Sequence, residues 1–259
     1  MRSVERIKRA IMCGLALRYP SFARLLRTHT PLAMQRYECS GSEGGRELMV
    51  FLPGLKDIMK DYELQGFVEV VRRTDARVDA LVVDAHYGYY ANRTVLDRLH
   101  LDVIRPAKAR GYERVWLVGI SMGGAGALLY ASRFPGEISG VVALAPFLGS
   151  ADVIREISAA GGVTTWTAPE PSATDYPRQL WRWLKQYENP TPVLPQLYLG
   201  YGDRDKFAPA NQLLAEILSP QQVSIIAGRH DWATWKRLWH VLLPRWRSGS
   251  DPGIDPSAR

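Results

Sequence analysis

Ser121, Asp205 and His230 are three side chains that together could transfer an acyl group. A serine hydroxyl is a poor nucleophile at neutral pH. It becomes an effective one when an imidazole accepts its proton and a carboxylate holds that imidazole in one tautomer. Ser121 stands at the centre of Gly119-Ile120-Ser121-Met122-Gly123, directly after the apolar run Val115 to Val118. A turn sharp enough to expose a serine at the end of a buried strand strains the serine backbone. It also brings the next helix so close that only glycine fits at Gly119 and Gly123. Gly111-Tyr112-Glu113-Arg114 reads as a turn leading into that strand, and Ala125 to Ser132 as a helix closed by Phe134-Pro135-Gly136. Strand, elbow and helix follow in the order that an activated serine needs, which points to serine hydrolysis.

His230 is the expected base. It follows the strand-like run Val223 to Ile226 and the turn Ala227-Gly228-Arg229, whereas His29 lies in an N-terminal arm and His100 and His240 fall inside helix-like runs. The acid should follow the preceding strand, where Gly202-Asp203-Arg204-Asp205 offers two carboxylates. Asp205, three residues after Gly202 and four before Pro209, is favoured; Asp203 is the alternative, and either could instead cap the turn against Arg204 or Lys206. Attack on an ester also creates an oxyanion, which preorganised N–H donors stabilise by about 3 kcal/mol each. The amide of Met122 is one expected donor. The other is Leu55, in the turn Pro53-Gly54-Leu55 after Leu48 to Leu52, with Gly54 allowing the backbone to approach substrate. Asp84-Ala85-His86-Tyr87 ends another strand at the same edge and places His86 and Tyr87 on the pocket wall, although His86 could equally be an ordinary hydrogen-bonded loop histidine.

These residues need a scaffold, and the chain alternates apolar runs with helix-like segments, the pattern of a parallel sheet covered on both faces. The runs are Leu48 to Leu52, Ala80 to Val83, Val115 to Val118, Val141 to Leu144, Leu197 to Leu199 and Val223 to Ile226, with a short early strand at Gln35 to Cys39. Helices are expected near Tyr62 to Arg73, Asn92 to Arg110, Gly124 to Arg133, Pro209 to Leu218 and Ala233 to Leu243. From 148 to 195 the rhythm breaks into a proline- and glycine-punctuated insertion, expected to form a lid at the ligand-binding edge. Its Trp166 is assigned to the substrate pocket, with packing of the lid onto the body as the competing role. Three regions result: a basic helical arm over 1–36, a hydrolytic domain over 37–247, and a tail over 248–259 whose composition predicts disorder.

With 259 residues, 46% of them hydrophobic, the chain can bury one large core. No stretch approaches the ~20 apolar residues of a membrane span. Cys13 and Cys39 make no disulfide framework, and Met12 is too large for the small residue that precedes a lipid-bearing cysteine. The arm holds eight of the 33 basic residues and one of the 26 acidic ones, so it carries the whole net charge of +7. The balanced remainder gives no reason to expect nucleic acid as a partner. Val4, Ile7, Ile11 and Leu15 recur at helical spacing among the basic residues, which suits a helix lying on anionic lipid; the favoured reading is a helix packed on the body with its charges in solvent.

With its elbow, acid and base in this order, the chain resembles the α/β-hydrolase superfamily over roughly residues 46 to 243. Leu52-Pro53-Gly54-Leu55 stands where most members have His-Gly, and Gly228-Arg229-His230-Asp231-Trp232 is similar to the Gly-x-His-Asp-Trp ending of esterase-type members. The resemblance implies an α/β-hydrolase fold with a mainly parallel sheet of about eight strands, here without the first, flanked by helices and carrying a small lid insertion. It also implies hydrolysis of a small-molecule or lipid ester through an acyl-enzyme, with no metal or organic cofactor. Relatives that are dehalogenases or epoxide hydrolases carry Asp at the elbow and dienelactone hydrolases carry Cys, so Ser121 favours a carboxylesterase. Lipase or thioesterase action at a membrane surface and a non-catalytic binding protein on the same fold are the alternatives. The expected location is the cytoplasm, with peripheral membrane contact through the arm as an alternative and with export and oligomeric state left open.

Overall fold

The computed structural model describes residues 2–19, 22, 26–38, 46–74, 77–170, 172 and 174–250, with backbone alone for 2, 3, 5, 46, 74 and 246–250. Every apolar run becomes a strand: β1 (Met34–Tyr37), β2 (Arg46–Leu52), β3 (Val78–Val83), β4 (Tyr112–Ile120), β5 (Gly140–Leu144), β6 (Gln196–Gly202) and β7 (Val223–Ile226). They form one sheet in the order β1-β3-β2-β4-β5-β6-β7. Among the described strands only β1 runs antiparallel, pairing with β3 at the edge, so the sheet begins inside the segment read as an arm. β3 and β5 are buried along their whole length, as strands covered on both faces must be.

The helices are α1 (Arg2–Arg18), α2 (Met59–Leu64), α3 (Phe67–Thr74), α4 (Tyr87–Ala91), α5 (Val95–Arg98), α6 (Arg105–Ala109), α7 (Met122–Arg133), α8 (Ala151–Ala159), α9 (Tyr176–Leu184), α10 (Ala208–Ala215) and α11 (Trp232–Ser250). Two expected helices are divided. The one over Tyr62 to Arg73 splits into α2 and α3 because Gly66 adopts φ 81°, a left-handed conformation that ends a helix. The one over Asn92 to Arg110 starts after Arg93, at φ 57°, and passes through a π-helical stretch, Leu99–Ile104, just ahead of Pro106, which has no N–H to continue the usual ladder. α11 runs to Ser250, beyond the expected Leu243, and includes Pro244. It therefore takes up the first residues of the segment read as a disordered tail; 251–259, like Cys39, lie outside the described residues.

The chain path fixes where a site can form. From β2 it crosses to β3 on one side, returns past β2 to β4, then steps through β5, β6 and β7 on the other. The loops after β2 and β4 consequently leave in opposite directions and open a crevice at the carboxyl edge, where open α/β sheets bind ligands. Register pairs Leu52 with Gly119, Ile120 with Leu144 and Gly202 with Ile226, so the loops after β2, β4 and β5 emerge side by side, as do those after β6 and β7. An aromatic cluster braces one flank of this edge. Phe67 stacks on Trp239 at 5.4 Å, Tyr62 and Trp232 meet edge to face at 5.6 Å, and the Tyr62 hydroxyl donates to the Leu52 carbonyl at 2.7 Å. These contacts tie α2 and α3 to α11. Among the described residues, no helix is long and apolar enough to cross a membrane.

Candidate active site

Ser121 occupies the joint between β4 and α7 with φ 55° and ψ −113°, a left-handed conformation that a side chain rarely adopts. The surroundings hold it there. Its N–H donates to the Leu144 carbonyl at 2.9 Å, and its own carbonyl accepts from Ala125 at 3.1 Å and Phe147 at 3.0 Å. The flanking glycines answer to the same crowding: a Cβ on Gly119 would run into the Gly123 carbonyl, and one on Gly123 into the Leu52 carbonyl.

Ser121 Oγ lies 3.0 Å from His230 Nε2, and His230 Nδ1 lies 2.7 Å from Asp205 Oδ2. The Asp205 side chain is fully buried, and its other oxygen accepts the Phe207 N–H at 2.8 Å. A buried carboxylate with both oxygens hydrogen-bonded is held in place and orients the imidazole it touches. Phe207 and Trp235 close on the His230 ring edge to face, each at 5.0 Å. Of the two candidate acids, then, Asp205 faces the histidine. Asp203 turns away: its Oδ1 accepts the Gly228 N–H at 2.9 Å, a bond that holds its carboxyl below the ordinary range and clasps the loop after β6 to the loop after β7.

A cavity of about 680 Å³ opens over Ser121. Ser121, Met122, Leu55, Gly54, Tyr87 and His230 line it, as the sequence places them. Met122 is the first residue of α7, where an amide has no carbonyl within the helix to bond and can point outward. Gly54 opens a tight turn closed by the Asp57 N–H on the Gly54 carbonyl at 3.2 Å. Much of the wall escaped the sequence reading: Ala125 and Leu129 of α7, Phe147 after β5, Phe207 after β6, and Trp232 and Trp235 of α11. The two tryptophans stand one helical turn apart directly after His230, a spacing that could have flagged them. Arg6 and Leu17 of α1 also line the cavity, and nothing local could have placed them there. Burial pushes the Asp57 carboxyl on this wall above the ordinary range and Asp61 adds to the effect, while the Trp232 indole, donating at 3.1 Å, and Arg6 act in the opposite direction.

Two pocket assignments are corrected. His86 does not line the cavity; its Nδ1 accepts the Gly88 N–H at 3.1 Å to cap α4, and burial lowers its pKa from the ordinary imidazole value. Trp166 does not line it either, being 2% exposed with its indole donating to Glu156 at 3.0 Å. The insertion that carries Trp166 is tied to itself, and to the body through the Arg93 guanidinium, 5.7 Å over the Tyr176 ring. Arg178 bonds Glu156 and Asp175, and the Trp181 indole donates to the Leu148 carbonyl at 2.8 Å. Among the described residues of 148–195 none lines the cavity, so none takes the expected lid role, whereas α1 does line it.

α1 crosses the loop after β2. Arg9 makes a two-point ion pair with Asp84 and donates to the Asp57 carbonyl at 3.2 Å, while Cys13 donates to the Leu55 carbonyl at 3.2 Å. The expected oxyanion turn is thus fastened from outside by α1 and from inside by Trp232. No group of three or more metal-ligating side chains occurs among the described residues.

A family model described as alpha/beta hydrolase fold matches residues 90–237. No curated protein sequence matches the chain. Among solved structures, a ferulic acid esterase is similar with a TM-score of 0.56 at 15% identity, over 85% of this chain and 95% of its own. An S-formylglutathione hydrolase from Staphylococcus aureus gives 0.56 at 15% identity, over 84% and 97%. The fluorophosphonate-binding serine hydrolase F of the same organism gives 0.55 at 14%, over 85% and 95%. At these identities the likeness is one of fold.

Proposed function

Because this chain belongs to the α/β-hydrolase family, we propose that it is a serine carboxylesterase that cleaves small-molecule or lipid esters through an acyl-enzyme. The observation that carries the reading is the unbroken hydrogen-bonded chain Ser121–His230–Asp205 opening onto an apolar cavity. The ester carbonyl would sit over Ser121 Oγ. As the oxygen attacks, His230 Nε2 takes its proton, and Asp205 stabilises the imidazolium that forms. The amides of Met122 and Leu55 hold the oxyanion. Collapse of the tetrahedral adduct expels the alcohol, which receives its proton from His230, and water repeats the cycle to release the acid.

The wall of Leu129, Phe147, Phe207 and Trp235 suits an acyl or aryl group. Each methylene buried there would contribute about 0.8 kcal/mol, so kcat/KM should climb with acyl length until the cavity is filled. The structures that the chain resembles include one named an esterase and one named a fluorophosphonate-binding serine hydrolase, and the chemistry proposed here is of that kind.

Labelling with a fluorophosphonate probe, with Ser121→Ala as control, tests the reading, followed by turnover of nitrophenyl esters from acetate to palmitate. Labelling that disappears in the variant, with turnover, supports it, and the chain-length profile separates esterase from lipase. Folded protein that takes no label would overturn it in favour of a hydrolase fold that binds without catalysis.

A further inference from the structure

We infer that α1 is a membrane-docking helix that seats the mouth of the catalytic cavity on an anionic bilayer. The helix has three faces with three different surroundings. Arg9, Cys13 and Ala16 face the body, the last two only 1% exposed, and the contact is made through an ion pair and bonds to backbone carbonyls. Arg6 and Leu17 face the cavity. On the remaining side Val4, Ile7 and Ile11, spaced three and four residues apart as one face of a helix requires, are 50%, 57% and 56% exposed.

This arrangement inverts the usual one. A surface helix of a soluble domain turns its apolar stripe inward, and here the stripe points away from the body while polar groups do the docking. Exposed Lys8 and Arg18 flank the stripe, and Tyr19 and Phe22, 48% and 39% exposed, continue it beyond the helix end. The charge then selects the occupant. Lys8 and Arg18 make the face itself cationic, in a stretch, residues 1–36, where Glu5 is the sole acid, so the face repels a second copy of itself and complements a negative surface. Aliphatic side chains in a stripe, cations beside them and aromatic rings at the margin match the interface of an anionic phospholipid bilayer. Each basic side chain brought near such a surface strengthens binding about fivefold.

Because the same helix walls the cavity, docking would set the cavity mouth against the lipid headgroups, from which an amphipathic ester could enter without crossing water. This choice of substrate rests on the esterase reading; the docking does not.

The test is co-sedimentation of the full chain with phosphatidylglycerol and with phosphatidylcholine vesicles at low and high salt. The variants are Ile7→Asp/Ile11→Asp and Lys8→Gln/Arg18→Gln, none of whose positions, among the described residues, lies in the cavity or bonds the body. The expected result is binding to phosphatidylglycerol that weakens with salt, falls about tenfold or more in each variant and is about tenfold weaker on phosphatidylcholine. Thermal melting and nitrophenyl acetate turnover without vesicles should stay at wild-type values. Absent binding, equal binding to both lipids, or binding unchanged by Ile7→Asp/Ile11→Asp overturns the inference. So does a dimer that this variant dissociates, which would give the face to a second copy. Failure of the esterase reading would show instead as absent turnover with vesicle binding intact.

Discussion

Arg9 and Asp84 meet through two parallel hydrogen bonds, the second at 3.0 Å, with side chains 15% and 16% exposed, and so pin α1 to the carboxyl end of β3. The geometry is the bidentate one that makes an Arg–carboxylate pair stronger than a point contact. Replacing one partner strands a half-buried charge, so Arg9→Gln and Asp84→Asn should each lower stability by about 2 kcal/mol, and the double variant by less than the two together. Urea unfolding of the four proteins measures this. Arg9→Gln should also reduce kcat, since it releases the Asp57 carbonyl and with it the turn that carries Leu55.

The hydrogen-bonded chain predicts an ordered set of catalytic losses. Ser121→Ala should abolish turnover and leave the melting temperature near that of wild type. Asp205→Asn should lower kcat by about 10³ to 10⁴, because an amide presents the wrong tautomer to His230. Asp203→Asn should cost far less than Asp205→Asn. A steady-state assay in which Asp203→Asn proved the more damaging would reverse the assignment of the acid.

At the elbow the expected failure is one of folding. Gly119→Ala and Gly123→Ala each force a Cβ against a carbonyl that belongs to the elbow or to β2, neither of which can yield without moving the nucleophile. Each should destabilise the protein by about 3 kcal/mol or more, seen as a fall in the denaturation midpoint, and remove activity even where folded protein survives.

Pocket residues and packing residues should separate cleanly. Trp166→Phe removes the bond to Glu156, and neither residue lines the cavity, so it should cost about 1 kcal/mol of stability and leave kcat/KM within about twofold for every ester. Leu129→Trp narrows the cavity itself and should shift the preferred nitrophenyl ester toward shorter acyl chains.

Asp231 predicts an acid-sensitive contribution to stability. It caps α11, its Oδ1 accepting from the Thr234 N–H at 2.9 Å and hydroxyl at 2.8 Å, and these bonds lower its pKa, the N–H most of all. A carboxyl whose folded pKa lies below its unfolded one stabilises the protein above the unfolded value, and that stability is lost as pH falls through the folded one, here below about pH 4. Asp231→Ala should cost about 1 kcal/mol at pH 7. Urea unfolding at pH 7 and pH 3 should show the difference between wild type and Asp231→Asn shrinking at the lower pH.

The legible part of this protein was the part governed by short-range rules. Strands β2 to β7 stood out as apolar runs because a strand covered on both faces has no polar side to interrupt it. Gly119 and Gly123 marked the elbow because close approach of two backbones excludes a side chain. Where elements end was less legible: Gly66 divided one expected helix and Pro106 unsettled another, and Pro244 failed to end a third. His86 was misassigned because nearness in sequence to a strand end does not say which way a side chain turns, and Trp166 because an insertion at the ligand-binding edge can pack on itself instead of over the cavity.

By itself, then, the sequence determined the order of strands and helices, the strained serine between two indispensable glycines, and a histidine and a pair of aspartates downstream of it. Tertiary structure decided the rest. It set Asp205 rather than Asp203 against the His230 imidazole: both reach the loop that β7 brings alongside β6, but Asp203 spends its carboxylate on the Gly228 N–H. It also decided the bearing of α1: a 3.6-residue period reveals that Val4, Ile7 and Ile11 share a face, but not whether that face meets the body or looks outward. That was settled by Arg9 and Asp84, 75 residues apart in the chain and joined only when β3 delivers one to the other.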